Sequence, residues 1–143
     1  MLTVSGSFSG SIRTQSVFSV NDQPNHTLGV AEVLGTQSSS DPRWNNIAIT
    51  YWGTTDLQGT QGTQRGYFLN DHGSAGSDYG TFEGAVSMSG AEPIVEGKWQ
   101  YTGGTGDFAG ITGSGNFRTR LTSPTTVEAS WQGTYELAGA AAV

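Results

Sequence analysis

The sequence predicts an all-β protein, a single eight-stranded antiparallel barrel with almost no helix. Three observations carry this reading. Apolar and polar residues alternate with period two in eight separate segments. No stretch of two helical turns shows a 3.6-residue apolar period. Glycine, at 22 residues, recurs beside aromatic residues on the same strand parity. Strands with one wet face join as antiparallel neighbours, and closing them into a barrel removes the exposed edges. Eight strands leave an interior that side chains fill or that holds one small ligand.

The first strand places Leu2, Val4, Gly6, Phe8, Gly10 and Ile12 on one face and Thr3, Ser5, Ser7, Ser9 and Ser11 on the other. It continues past a bend through Val17 to Val20. Residues 21–25 (Asn-Asp-Gln-Pro-Asn) have turn composition. Leu28 to Leu34 form the second strand, 38–42 a loop, and Ile47, Ile49 and Tyr51 mark the third. Gly66, Phe68, Asn70 and His72 share one face of the fourth, before a glycine-serine turn at 73–77. Phe82, Gly84, Val86 and Met88 mark the fifth. Val95, Gly97, Trp99 and Tyr101 mark the sixth, with Glu96, Lys98 and Gln100 opposite. Phe117, Thr119 and Leu121 mark the seventh, with Asn116, Arg118 and Arg120 opposite. The eighth carries Val127, Ala129, Trp131, Gly133, Tyr135 and Leu137 on its apolar face. One domain is expected over 1–137, with a frayed tail over 138–143.

Glycine precedes an aromatic by two residues at Gly6-Phe8, Gly66-Phe68, Gly80-Phe82, Gly106-Phe108, Gly115-Phe117 and Gly133-Tyr135. A glycine beside a ring leaves space for a neighbouring ring and lets a strand coil tightly.

Composition removes several function classes. The chain has no cysteine, so disulfides and thiolate metal sites are excluded. Its only histidines, His26 and His72, make a multi-histidine metal site improbable. A net charge of −6 disfavours nucleic acid and polybasic membrane attachment. Residues 1–4 run straight into the alternating pattern without a basic, then apolar, leader, and no apolar run approaches the ~20 residues of a membrane span. Cytoplasmic residence is the expectation.

Residues 104–109 (Gly-Thr-Gly-Asp-Phe-Ala) fit the dinucleotide pattern G-x-G-x-x-A. A phosphate cradle needs a helix to follow, because the helix N-terminus carries the pyrophosphate. Residues 111–117 are too rich in glycine for that. The stretch reads as a long turn, with Phe108 and Ile111 tucked under the barrel end.

Residues 102–110 (Thr-Gly-Gly-Thr-Gly-Asp-Phe-Ala-Gly), the glycine-bearing strand after them, and Ser123-Pro124-Thr125 before a final strand resemble allene oxide cyclase and its bacterial barrel relatives. Gly80-Thr81-Phe82-Glu83-Gly84 and Gly97-Lys98-Trp99 add to the likeness, which covers roughly 62–137. The resemblance implies a lipocalin-like barrel, often oligomeric, that works without cofactor or metal. In the cyclases such a barrel guides ring closure of a reactive fatty-acid epoxide. No catalytic residue carries over, because the N-terminal half does not align.

Among candidate site residues, Trp99, Tyr101, Trp131 and Tyr135 lie on the apolar parity, with Tyr51 on the third strand. They are read as core, as the wall of a ligand cavity, or both. Asn70 and His72 share a face with Phe68 and are read at a barrel mouth, His72 as a solvated rim residue. Glu32 shares parity with Leu28, Val30 and Leu34. Facing inward, it would serve as a desolvated proton-transfer group. With Gly29, Ala31 and Val33 inward instead, it would be wet. Arg118 and Arg120 with Glu128 read as an outer cross-strand charge set.

Three functions follow as expectations. One is a cofactor-free barrel that binds a small apolar, lipid- or polyketide-like molecule and steers a cyclisation or isomerisation. Another is a non-catalytic carrier of such a ligand. The third is a structural subunit with a filled interior. Trp44 and Trp52, otherwise unassigned, point to self-association as a homo-oligomer, a dimer or trimer.

Overall fold

The structure, a computed structural model, describes residues 1–138, so residues 139–143 of the expected tail lie outside it. The strands are β1 (Leu2–Ser19), β2 (His26–Ser39), β3 (Ala48–Gln58), β4 (Gln61–Asp71), β5 (Gly76–Ser89), β6 (Glu92–Gly106), β7 (Thr112–Ser123) and β8 (Thr126–Glu136). A 3-10 turn, Gly73–Ala75, joins β4 to β5. Each strand pairs antiparallel with the next, and β1 closes the barrel on β8 from Leu2↔Tyr135 to Ser11↔Thr126. The expected eight-stranded antiparallel barrel is the observed fold.

The bend expected in the first strand is a β-bulge. Ile12 and Thr14 face consecutive residues of β2, Val33 and Glu32, so Arg13 is the extra residue. Several strands run longer than their apolar alternation. β2 continues to Ser39, and β5 begins at Gly76.

Glycine and rings meet across strands. Gly6 faces Trp131, Gly66 faces Phe82, Gly80 faces Phe68, Gly97 faces Phe117 and Gly115 faces Trp99. A Cβ built on Gly6 would stand 2.5 Å from Cζ2 of Trp131, and one on Gly133 would stand 2.7 Å from Cζ2 of Trp99. Side chains larger than hydrogen at these positions would displace the rings that fill the barrel.

The two ends differ. At one end the 40–47 loop lays Trp44 across the barrel, fully buried, with Phe108, Ile111 and Tyr135 beneath and beside it. The Trp44 ring meets Tyr135 at 4.8 Å and Phe108 at 5.7 Å, both edge-on. This end is corked. At the other end, inward-facing Gln64, Phe82, Phe117 and Thr119 are only partly buried. That end is open.

Candidate functional site

The glycine-rich stretch is a turn. Gly106 and Gly110 adopt positive φ of 59° and 78°, which favours glycine. The amides of Asp107, Phe108, Ala109 and Ile111 all donate to backbone carbonyls, those of Ala75, Thr105, Gly106 and Phe108. Amides already engaged in this way are not turned toward a phosphate. Phe108 and Ile111 are both buried in the cork, as expected from the sequence.

Above the cork lies one polar chain whose direction is fixed by chemistry. An indole N–H can only donate. Trp131 Nε1 donates to Gln37 Oε1 at 2.8 Å, which turns the Gln37 amide nitrogen toward Asn70 Oδ1 at 3.1 Å. Asn70 Nδ2 then donates to Asp78 Oδ1 at 2.9 Å, and Trp44 Nε1 donates to Asp78 Oδ2 at 2.9 Å. The two tryptophans thus orient both amides between them without ambiguity.

His72 completes this cluster. Its Nδ1 lies 2.8 Å from the Arg43 carbonyl oxygen, which only accepts, so Nδ1 carries a hydrogen. Its Nε2 lies 2.5 Å from Asp78 Oδ2, and those two atoms share a second proton. The two side chains are 3% and 0% exposed, so each buried polar group meets the other. The ring also stacks on Phe108 at 3.9 Å. His72 is not the solvated rim residue the sequence suggested. Both its nitrogens are engaged, so neither is free to serve as a base.

Tyr135 also belongs to the cork rather than to a ligand wall. Its hydroxyl donates to Asp41 Oδ2 at 2.8 Å and accepts from Arg43 Nη1 at 3.1 Å. Burial, and then the Asp41 carboxylate, push its hydroxyl pKa up to about 12.

Between cork and open end lies a cavity of about 70 Å³. Trp99, Tyr101, Trp131, Tyr51 and Asn70 line it, so five residues singled out in the sequence come together. Sequence reasoning missed Phe8, Phe68, Phe82 and Phe117, which it had placed only on apolar faces, and Gln37 and Gln64, which it had not assigned. Burial raises the Tyr51 hydroxyl far above its ordinary range. It does the same for Tyr101, with help from the charges of Asp78, Tyr135 and Asp41. Both phenols therefore stay protonated and able to donate. Among the described residues, no group partners either hydroxyl, and no fully buried side-chain polar atom lacks a partner. Gln64 and Thr119, which also line the cavity, likewise carry polar side chains without a partner among the described residues.

Glu32 lies elsewhere. Val33 is the buried neighbour on β2, and Glu32 points outward, where it accepts from Trp52 Nε1 at 2.8 Å and pairs with Arg13 at 3.6 Å. The expectation of an inward carboxylate is corrected: inward positions on β2 are Gly29, Ala31, Val33, Gly35 and Gln37. Trp44, expected at a self-association surface, is instead the cork. Arg120 does join Glu128 at 2.6 Å and Glu92 at 3.1 Å across the outer face.

Comparison of the chain with protein-family models, curated proteins and solved structures finds no match.

Proposed function

We propose that the barrel binds a compact, largely apolar molecule carrying a hydrogen-bond acceptor, entering ring-first through the open end. The carrying observation is the pair of protonated, unpartnered phenols, Tyr51 and Tyr101, lining a cavity whose other walls are mostly rings, with Gln37, Gln64, Asn70, Thr119 and Ile49 between them. A cavity of about 70 Å³ takes no whole lipid. It is well below the roughly 300 Å³ of a drug-sized site. A ring or short branched group is the part that enters, and the rest of the ligand stays outside.

Binding without chemistry is favoured over the cyclase or isomerase reading. Among the residues that line the cavity, the ionisable ones are these two tyrosines, and both are held neutral. Asp78 is separated from the cavity by Asn70, and Glu32 lies outside the barrel. Proton transfer at the ligand would need a group with a value near the working pH.

Calorimetric titration with acetophenone and with ethylbenzene tests this. The carbonyl should gain about tenfold in affinity over the hydrocarbon, the worth of roughly one well-made hydrogen bond. The Tyr51→Phe/Tyr101→Phe double variant should bind both equally. Equal affinities in the unmodified protein would overturn the reading.

A further inference from the structure

The barrel is closed, yet one strand edge is left over. β1 pairs with β8 only as far as Ser11↔Thr126, and the Ile12 amide donates to the Thr125 carbonyl at 2.8 Å in the β7–β8 turn. From Arg13 to Ser19, β1 has no partner on the other side among the described residues, while Thr14 to Ser19 keep their ladder to β2. All seven of these residues are exposed. The segment overhangs the open end as the outer strand of a β1–β2–β3 ribbon.

Such an edge presents a row of unpaired amides and carbonyls, and natural proteins blunt it with lysine, proline or a bulge within the segment. Here the bulge stands at the base, and the register runs unbroken from Thr14 to Ser19. No lysine or proline interrupts it. Val17 and Phe18 are instead 64% and 66% exposed. Leu28, paired with Phe18 on β2, and Val30 are also exposed, at 44% and 48%. Among the described residues, no large apolar side chain is exposed on β6, β7 or β8. Trp52, Tyr67, Tyr79 and Met88 are also exposed on β3 to β5, so apolar exposure runs from the free edge round to β5 and is absent from β6 to β8.

We propose that this edge pairs with the same edge of a second copy of the chain, extending the ribbon across a two-fold axis. Antiparallel self-pairing is isologous and satisfies both edges at once. Strand parity fixes the register. Paired residues must point to the same face of the joined sheet, so the axis passes through one residue and its own copy. Only an axis at Ser16 or Val17 keeps five residues of the Thr14–Ser19 segment paired, and the one with an apolar pair at its centre puts Val17 opposite Val17, with Gln15 opposite Ser19 and Ser16 opposite Phe18. An edge this short buries several hundred Å² per copy, below the ~800 Å² of a standard interface. The dimer is accordingly weak and concentration-dependent.

Sedimentation equilibrium over a concentration series reaching millimolar tests it. The unmodified chain should pass from one to two chain masses. Val17→Lys sets two ammonium groups face to face and should stay monomeric, as should Val17→Glu alone. Mixing the two variants should restore the dimer. Independently of any variant, amide exchange over residues 14–19 should slow as protein concentration rises. A monomer throughout the series overturns the proposal. So does a dimer that persists in folded Val17→Lys, or exchange at 14–19 that ignores concentration.

Discussion

The indole nitrogen of Trp44 stands 2.9 Å from a carboxylate oxygen of Asp78, and both side chains are sealed from solvent. Trp44 comes from the 40–47 loop and Asp78 from β5, so this bond ties the cork to the wall. Asp78 also accepts from Asn70 and faces His72, so three neighbours rely on one side chain.

Asp78→Asn should destabilise the fold by about 3–5 kcal/mol, because its amide nitrogen would confront the Asn70 donor in one orientation and the Trp44 donor in the other, in a dry site. Trp44→Ala should cost a similar ~3–5 kcal/mol through the void it leaves. Urea unfolding of each single variant reads these losses. A change below 1 kcal/mol for Asp78→Asn, on the order of one exposed contact, would contradict the network.

Gly6→Ala should cost about 1–3 kcal/mol by overpacking. The new methyl would meet both the Trp131 ring and the Ser38 carbonyl oxygen, 2.5 and 2.7 Å away. Displacing Trp131 also strains its bond to Gln37, so the tryptophan emission should shift. Thermal unfolding followed by fluorescence checks both effects.

Glu32→Gln should leave stability within about 0.5 kcal/mol, since the pair with Arg13 is exposed and an amide oxygen can still accept from Trp52. Affinity for acetophenone should not change. Loss of binding in this variant would return Glu32 to the site.

His26 makes stability depend on pH. It lies between Asp22 at 2.6 Å and Asp56 at 2.7 Å, joining the β1–β2 turn to β3. The Asp22 hydrogen bond first, then that of Asp56, raise its pKa above the ordinary 6.5. The clamp is therefore fully present below pH 6.5 and is lost as pH climbs through the folded-state value. The melting temperature of the unmodified chain should fall more than that of His26→Gln between mildly acidic and mildly alkaline pH. Parallel curves would refute the clamp.

Period two revealed the eight strands and most inward faces, because a barrel wall with one wet side must alternate. The alternation of glycine and ring along single strands was legible, but which ring each glycine faces across the sheet was not, and Gly106-Phe108 proved to be part of a turn. What escaped was polar and buried. Gln37 lies on β2 beyond Leu34, where apolar alternation stops but the strand does not. Asp78 lies in a stretch whose glycine and serine resemble a turn, although it shares the inward parity of Gly80 and Phe82. Buried polar residues carry no hydropathy signal, and only their partners across strands make them tolerable. Glu32 shows the converse. Leu28, Val30 and Leu34 mark an apolar face that points out, 38–48% exposed, so parity alone could not say which side was core.

The most direct test of ligand binding in the barrel is the set of four tryptophan indole N–H signals in a ¹H–¹⁵N spectrum during acetophenone titration. Trp99 and Trp131 line the cavity, Trp44 is in the cork, and Trp52 is on the outer wall. Saturable shifts of Trp99 and Trp131, with Trp52 unmoved, are the predicted result. Shifts at Trp52 without them, or no saturation at Trp99 and Trp131, would contradict it.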